Sequence, residues 1–524
     1  MKSTVIAFVY LAIVSAALPA SGAEQLGKVS FPTSCDPKVQ AEFERGVAML
    51  HSFWFTETEK TFREVLAQDP SCAVANWGIA AILMHNPLAG FGSPPQWAER
   101  AQAALAQARV IGAKTQRERD YIEAVASYYD DFANRPESAR QLARAKAYEA
   151  LAGRYPDDDE AQIFYALYLA GTQTQADQTY AAYLRAASTL EKQFAKHPDH
   201  PGVAHYLIHS YDAPPIAQQG LPAARRYANI APAAPHALHM PSHIFTRVGA
   251  WADSVATNQR SAAVALKGNE PDEALHAIDY MVYAYLQLAR DTDARRTADD
   301  AERVAGVNLG RFVGPYALAA MPARVIVERG AWKEAASLQP RASKFPFAEA
   351  MTHFARALGA TRSGDPAAAD KDAEQLAVLH KALQAAKNNY WANEVEIQRL
   401  AVAAWIAHAQ GKADEALTLM RAAADMEDRS EKHIVTPGRI LPARELLGEL
   451  LLELKRPAEA LKEFEASAQR EPNRFRGLAG AAQAAAQSGD SGKAKQYYAR
   501  LIELASKGDP RPELARAKAY LAQR

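Results

Sequence analysis

Hydrophobic and small residues along this chain recur at helical spacing, with polar and charged residues between them. A clear case is the stretch 441–472, "LPARELLGELLLELKRPAEALKEFEASAQREP", in which two amphipathic segments flank a short polar turn. Ala-rich stretches such as "GLAGAAQAAAQSGDSGKAKQYYARL" also favour helices, because Ala has the highest helix propensity. Strict alternation of Val, Ile and Thr with polar residues, which indicates strands, is absent. The pattern therefore predicts an all-α chain of paired helices without a sheet.

The paired helices recur at a regular interval of about 34 residues. In the stretch 441–472 the small and bulky positions are Leu447, Gly448, Ala460, Phe464 and Pro472, and the next unit begins one interval after Leu441. This interval and these positions resemble the tetratricopeptide repeat, a helix–turn–helix unit. Similar turns occur in "VGAWADS", "RGAWKEAA" and "HAQGKADEA". The resemblance implies about ten to twelve hairpins from Asp36 to the C-terminus, stacked as a right-handed α-solenoid.

The stretch "SEKHIVTPGRI" interrupts this pattern before Leu441 and is predicted to be an insertion between repeats. We divide the chain into a signal peptide (1–23), an N-terminal segment (24–35), helical repeats that carry most histidines (36–310) and further helical repeats (311–524).

The first 23 residues have the pattern of a cleavable signal peptide. Lys2 is followed by an apolar core from Val5 to Leu18, which is too short to span a bilayer as a helix. Small residues at Ser21 and Ala23 suit cleavage after Ala23. An uncleaved anchor is the alternative. The pattern predicts a periplasmic or secreted protein with no membrane span after cleavage.

Charge and cysteine content narrow the possible partners and the compartment. The chain has 60 basic and 60 acidic residues, which gives no electrostatic reason to expect nucleic acid as a partner. The only cysteines are Cys35 and Cys72, and an even number in an exported protein suggests one disulfide. Two free buried thiols are the alternative.

Histidines carry the strongest chemical signal in the sequence. Eight of the 14 lie between 197 and 276, and they include two His-x-x-x-His pairs, His205/His209 and His239/His243. The pairs stand one repeat interval apart, at the fifth and ninth positions of successive repeats. In tetratricopeptide proteins the second, fifth and ninth positions generally face the concave groove. Since residues four apart share one helix face, the four imidazoles are predicted to bind one transition-metal ion.

Further residues occupy groove-facing positions of the repeats or lie near them. Additional or indirect roles at this site are predicted for a larger set: His276, Asp279, His236, His51 and Glu445. Pro241 lies between the members of the second pair, where it removes a helical hydrogen bond. It could leave His239 at a helix end, or bend the helix so that both rings point to one place. For each histidine alone, a satisfied groove or core residue is the competing interpretation.

A narrower resemblance rests on the histidine motifs themselves. "HPGVAHYLIHSYD", "HALHMPSHIFTRVGAWADS", the N-terminal "LHSF" and "TPGRILPARELLGELLLE" together are similar to a largely uncharacterised family of bacterial tetratricopeptide proteins with paired histidine motifs. That resemblance supports the fold and the motif but implies no particular reaction.

Three functions remain open from the sequence. The first is metal binding in the groove, with Zn, Cu, Fe or Ni as the ion, since imidazole suits all four and no thiolate competes. Such binding should weaken below about pH 6, because the ligands must be unprotonated. The second is a scaffold that binds a protein or peptide in the groove without metal. The third is a metal-dependent enzyme whose substrate the sequence does not indicate.

Overall fold

The computed structural model describes residues 24–523, and the predicted signal peptide lies outside this range. Within the described residues the fold is all-α, with 25 α-helices, three 3-10 helices and no strand. The α-helices are α1 (Gln40–His51), α2 (Phe55–Gln68), α3 (Ala75–Ile82), α4 (Pro95–Ile111), α5 (Gln116–Tyr129), α6 (Glu137–Arg154), α7 (Asp159–Ala170), α8 (Ala181–Lys196), α9 (Pro201–Ser210), α10 (Leu221–Ile230), α11 (Pro235–His239), α12 (Pro241–Arg247), α13 (Trp251–Lys267), α14 (Pro271–Gln287), α15 (Asp291–Ala301), α16 (Val313–Val327), α17 (Pro346–Arg362), α18 (Pro366–Ala385), α19 (Asn389–Ala409), α20 (Ala413–Asp428), α21 (Ala443–Glu453), α22 (Pro457–Arg470), α23 (Phe475–Ser488), α24 (Ser491–Leu504) and α25 (Pro512–Ala522).

The helices pair as antiparallel hairpins, as the sequence pattern predicted. Counted from α1 to α24, the described chain holds twelve such hairpins, followed by α25. In the sixth hairpin α11 and α12 together form the first helix, and in the eighth a 3-10 helix (Trp332–Ser337) replaces the second. The tetratricopeptide-like α-solenoid is therefore confirmed by the chain's own architecture.

Bulky residues packed on glycines hold successive hairpins together. Phe62 in α2 lies against Gly46 in its own unit and Gly78 in the next, leaving no room for a Cβ at Gly78. At the other end of the chain Phe464 in α22 packs in the same way on Gly448 and Gly480. Because such close contact requires the smallest residue, these positions explain why the repeat consensus alternates small and large side chains.

Buried apolar residues form three clusters along the array. One cluster extends from Leu26 to Phe245 and also includes Ile434, a second extends from Trp251 to Val325, and a third from Ala289 to Ala517. Helices α9, α11 and α12 belong to the first cluster and α14 to the second. The predicted histidine site therefore lies at the junction of two apolar clusters, where water has little access.

The connecting segment (residues 429–442) between α20 and α21 corresponds to the predicted insertion. It contacts helices from both halves of the chain: Tyr280 donates a hydrogen bond to the Thr436 carbonyl at 3.0 Å, and Arg324 donates to the Gly438 carbonyl at 2.7 Å. His433 is buried and lies 3.2 Å from the carbonyl oxygen of Ala89. The segment thus lies against several first helices instead of extending into solvent.

The N-terminal segment is tied to the repeats by a disulfide. Cys35 and Cys72 are joined, which confirms the predicted pairing and excludes the alternative of two free thiols. The bond links the residues before α1 to the turn before α3. Among the helices of residues 24–523, none is long and apolar enough to cross a membrane.

A buried histidine cluster as candidate metal centre

Six imidazoles from three consecutive first helices meet in the interior. Helix α9 supplies His205 and His209, α11 and α12 supply His236, His239 and His243, and α14 supplies His276. The four histidines of the two sequence pairs are at most 2% exposed, and His236 and His276 are each 7% exposed. The structure therefore brings together the predicted four and adds His236 and His276, two of the residues for which additional or indirect roles were predicted.

The helix break at Pro241 brings the second pair together. Helix α11 ends at His239 and α12 begins at Pro241, while Met240 between them keeps helical angles, φ −53° and ψ −36°. The chain thus bends without leaving the helical path. Across the bend, Nε2 of His239 lies 3.1 Å from Nε2 of His243. Both effects foreseen for Pro241 occur together, since His239 lies at the end of α11 and its ring nevertheless points to the same place as that of His243.

The six rings divide into two groups of three. The first triad is His205, His209 and His236, and the second triad is His239, His243 and His276. Within each triad, one ligand atom per residue lies within 4.8 Å of the other two. The four histidines predicted to share one ion are thus placed in two neighbouring triads, two in each.

In several of the rings, the hydrogen-bond partner of Nδ1 fixes which ring nitrogen carries the proton. In the first triad, Nδ1 of His205 donates to the backbone carbonyl of His51 at 2.7 Å. Nδ1 of His236 lies 3.2 Å from Oε2 of Glu273. In both residues Nε2 is buried and has no hydrogen-bond partner within the described chain, and both ring nitrogens of His209 also lack one. Each of the three adjacent rings therefore has a buried lone pair without a hydrogen-bond partner. Histidine nitrogens that bind a metal ion have this arrangement.

The second triad shows the same arrangement. Nδ1 of His239 lies 2.7 Å from Oδ1 of Asn258, and the Asn258 amide nitrogen donates to the Ser254 carbonyl, so the oxygen must face the ring. Nδ1 of His243 lies 2.8 Å from Oδ2 of Asp212. Each Nδ1 therefore carries the proton, and the two facing Nε2 atoms both present lone pairs.

Two lone pairs 3.1 Å apart repel each other unless a cation or a proton lies between them. The Tyr280 hydroxyl lies 3.4 Å from Nε2 of His243, but it donates to the nearer Thr436 carbonyl at 3.0 Å. A protonated ring is disfavoured, since burial lowers the pKa of His243 to about 4 and that of His276 to about 3. Burial also holds the pKa of His239 well below its usual value. Two nitrogens at about 2.0–2.1 Å from one metal ion stand roughly 2.9–3.4 Å apart, so the observed separation fits a shared ion.

Burial acts in the same direction on the first triad. The pKa values of His205 and His209 lie well below the ordinary range, because desolvation and the neighbouring imidazoles both disfavour the charged form. Neutral imidazole is the form that binds metal. The cluster is therefore held in the protonation state that a ligand set requires.

Charged residues next to the second triad are mutually balanced. Asp212, which contacts His243, also accepts a hydrogen bond from Nε of Arg247 at 2.8 Å. Nζ of Lys432 in the connecting segment lies 3.6 Å from the same carboxylate, and Arg247 also pairs with Glu431 at 3.3 Å. Arg247 therefore serves in a buried ion-pair network.

Two of the additional predicted residues lie in ion pairs elsewhere. Asp279 pairs with Arg324 at 2.6 Å, although burial raises the pKa of this carboxyl to about 6. Glu445 pairs with Arg474 at 2.8 Å. Neither carboxylate belongs to a triad.

His51 belongs to a third buried group, formed with Glu160 and His200. The Glu160 carboxylate lies 2.9 Å from Nε2 of each histidine, and Nδ1 of His51 lies 2.9 Å from the Tyr206 hydroxyl. The remaining His200 nitrogen accepts from the amide of Val203. Every ring nitrogen here has a partner, so this group is complete as a hydrogen-bond network. His51 reaches the first triad only through its backbone carbonyl.

Sequence reasoning missed the residues that orient the rings. Asp212 lies inside the quoted motif "HPGVAHYLIHSYD", three residues after His209, and Glu273 stands three residues before His276. Their position beside histidines on the same helix, or just after it, was a usable signal. Asn258 and Lys432 come from a second helix and from the connecting segment, and no spacing rule in the sequence connects them to the site.

Comparison with known proteins adds little to these observations. No family model matches the chain, and no curated protein matches its sequence. One similar solved structure is the monomeric mutant of IFIT1 with Gppp-AAAA, at 14% identity and a TM-score of 0.33, covering 90% of this chain and 96% of that chain. Another is Cut9 with Hcn1 of the APC/C, at 11% identity and a TM-score of 0.27, covering 93% and 97%. Similarity at such low TM-scores indicates nothing about the function of this chain.

Proposed function

We propose that this chain is an exported helical-repeat protein that binds transition-metal ions through its buried histidine cluster. The observation that carries the proposal is the 3.1 Å approach of Nε2 of His239 to Nε2 of His243, with both Nδ1 atoms held by oxygen acceptors. Two facing lone pairs in a buried site are unfavourable by themselves, and a cation bound by both nitrogens makes their approach favourable.

The donor set supports a transition metal. All six ligands are neutral nitrogens, and each triad lacks the carboxylate oxygens that Mg²⁺, Ca²⁺ and Mn²⁺ prefer. The contacts of Nδ1 with a carbonyl, an amide oxygen and two carboxylates are those that usually orient metal-binding histidines. Export rests on the signal-peptide pattern of residues 1–23, and membership of the bacterial family with paired histidine motifs rests on sequence resemblance alone.

Metal analysis of the native protein tests the proposal. Protein purified without chelators or affinity metals should contain transition metal, and the double variant His209→Leu/His243→Leu, which removes a ligand from each triad, should lose most of it. His353→Leu is the matched control, because His353 is also buried and contacts Asp372 but lies outside the cluster. Metal-free wild-type protein that gains no metal when Zn²⁺ or copper is added would overturn the proposal. Loss of metal in both variants would point to general destabilisation instead.

A peptide-binding scaffold is the second candidate, supported by the tetratricopeptide-like fold. In this structure the connecting segment already lies against the first helices near the site, through Tyr280 and Arg324. A protein partner bound there would have to displace it. Binding of metal to the isolated, full-length chain distinguishes the two candidates, because a scaffold without metal predicts none.

A further inference from the structure

We infer that the cluster holds two copper(I) ions, one in each triad, instead of one ion shared by all the histidines. This inference rests on the proposed function, because it concerns the number and the charge of the ions in the same cluster. It depends on three features: the division of the rings, the separate contacts that hold each triad, and the charges nearby.

The rings are arranged as two neighbouring groups of three. His205, at one end, packs against His209 and His236 with ring centroids 4.9 and 5.1 Å away. His276, at the other end, packs closest to His239, at 4.0 Å. Six ligands of one ion would surround a single point, with all their donor atoms mutually close. The donor atoms here instead come together as two sets of three.

Each triad also has its own hydrogen-bond partners, which fix the orientation of its rings. Glu273 and the backbone carbonyl of His51 fix two rings of the first triad. Asp212 and Asn258 fix two rings of the second. A hydrogen bond at one ring nitrogen orients the other nitrogen toward the ion. Two independent sets of such hydrogen bonds therefore indicate two binding positions.

The two positions are adjacent. The ring of His209 in the first triad lies 5.5 Å from that of His243 in the second, measured between centroids. The ring of His236 lies 5.9 Å from that of His239. Two ions bound by these neighbouring rings would repel each other across a buried, low-dielectric gap.

The charge of the ions therefore distinguishes copper(I) from divalent ions such as Zn²⁺ as occupants of the two positions. Repulsion between two divalent ions is about four times that between two monovalent ions at the same distance. The ligands are neutral, and the Asp212 carboxylate is already balanced by Arg247 and approached by Lys432. Glu273, which contacts His236, has no Lys or Arg partner among the described residues, and its single negative charge offsets a much smaller share of the repulsion between two divalent ions than of that between two monovalent ions. Copper(I) is the monovalent transition ion that imidazole accepts, so it fits this site better than Zn²⁺.

An anaerobic titration with copper(I) against a colorimetric copper(I) chelator tests the stoichiometry. Wild-type protein should take two equivalents. His209→Leu, which removes a ligand of the first triad, and His276→Leu, which removes one of the second, should each retain about one. His353→Leu should still take two. Thermal unfolding followed by helical ellipticity would show that each metal-free variant is folded.

X-ray absorption at the copper edge on the loaded wild-type protein provides a test that needs no variant. About three nitrogen neighbours per copper, at roughly 2.0 Å and without sulfur, are expected. One copper per chain, with loss of all binding in both triad variants, would overturn the two-ion inference and leave the proposed function standing. Two equivalents of Zn²⁺ bound more tightly than copper(I) would overturn the choice of ion. Failure to bind copper(I), Cu²⁺ or Zn²⁺ would overturn both.

Discussion

At the scale of single residues, proton placement is what makes this cluster a ligand set. An imidazole surrounded only by apolar side chains can place its proton on either nitrogen, and it presents a lone pair wherever that proton is not. Here Asn258 settles the choice for His239, because its own amide nitrogen is engaged by the Ser254 carbonyl. The residue that contacts the histidine therefore controls the chemistry of the opposite face of the ring.

Removing that acceptor should weaken metal binding. Asn258→Leu keeps the approximate volume but leaves Nδ1 of His239 without an oxygen partner, so the proton is no longer confined to Nδ1. We expect metal affinity to fall by roughly 10- to 100-fold, measured by competition with a chelator. Asn258→Asp, which keeps an oxygen acceptor, should retain most of the affinity. Equal affinity in Asn258→Leu and wild type would show that this contact does not orient the ring.

A second residue-scale prediction concerns Glu427, far along the chain from the histidines. Burial raises the pKa of its carboxyl from 4.5 to about 8, although Arg439 lies 3.4 Å away. The folded state therefore binds this proton more tightly than the unfolded state. Between about pH 4.5 and 8 the folded protein keeps this proton and the unfolded chain has lost it, so unfolding releases a proton. Because rising pH favours proton release, the free energy of unfolding should fall as pH rises through this range.

Glu427→Gln should remove this contribution while keeping the oxygen that accepts from the amide of Ala443. A shift of one pKa unit corresponds to about 1.4 kcal/mol, so the difference between variant and wild type should grow by a few kcal/mol from pH 5 to 8.5. Denaturant unfolding at several pH values measures it. The comparison with the variant cancels other titrating groups. Parallel pH profiles for the two proteins would contradict the prediction.

At the scale of helices, the site depends on close approach between α9 and α1. Gly202 in the first turn of α9 lies so close to the ring of His51 that a Cβ at this position would overlap Nδ1. This contact sets the distance at which the His51 carbonyl receives the Nδ1 proton of His205. One glycine thus positions a helix whose later residues carry two of the ligands.

Gly202→Ala should destabilise the protein by about 1–3 kcal/mol, because the methyl group forces α9 away from a packed ring. The matched control is Gly153→Ala in α6, where an added Cβ meets nothing within 4 Å. That change should stabilise by roughly 0.5–1 kcal/mol, as Ala is the better helix former. Denaturant midpoints report both effects. Stabilisation of both variants would mean that the interior beside His51 relaxes freely.

The regular repeat interval was enough to predict that histidines from neighbouring first helices meet. Equivalent positions in stacked repeats face the same side, so the two histidine pairs could be assigned to adjacent helices of one cluster from the sequence alone, although His205 and His239 lie in different triads. The division into two triads could not be predicted in this way, because it depends on the bend at Pro241 and on side-chain directions. Nor could the position of Lys432, since the connecting segment has no repeat to align it with.

At the scale of the whole molecule, the connecting segment joins parts of the array that are distant in sequence. Tyr180 donates to Glu431 at 2.8 Å, and Arg470 contacts the same carboxylate, so one side chain links helices from both halves of the solenoid. Nε1 of Trp251 also donates to the carbonyl of Asn473 at 2.7 Å. A simple repeat array has contacts only between neighbours, whereas these contacts restrain its two halves against each other.

Metal binding should nevertheless stabilise the array locally. The first triad joins α9 to α11 and the second joins α11–α12 to α14, so the two ions together tie three successive hairpins that otherwise touch through packing and a few hydrogen bonds. An ion that binds only the folded state adds about 2.7 kcal/mol at a free concentration 100 times its dissociation constant. Opening of these hairpins breaks the site, whereas local fraying of α24 and α25 does not. Hydrogen exchange should therefore slow on metal loading in α9–α14 and change little in α24 and α25.

The metal-free protein and His209→Leu/His243→Leu with metal added are the two controls for this measurement, and both should show fast exchange in α9–α14. Slower exchange spread evenly over all twelve hairpins would mean that the ion stabilises the array as one cooperative unit, because the long-range contacts of the connecting segment transmit its effect. No slowing in α9–α14, with metal present at two equivalents, would contradict binding at the triads. Because α24 and α25 lie in the same molecule as the site, their exchange serves as an internal reference for solution conditions.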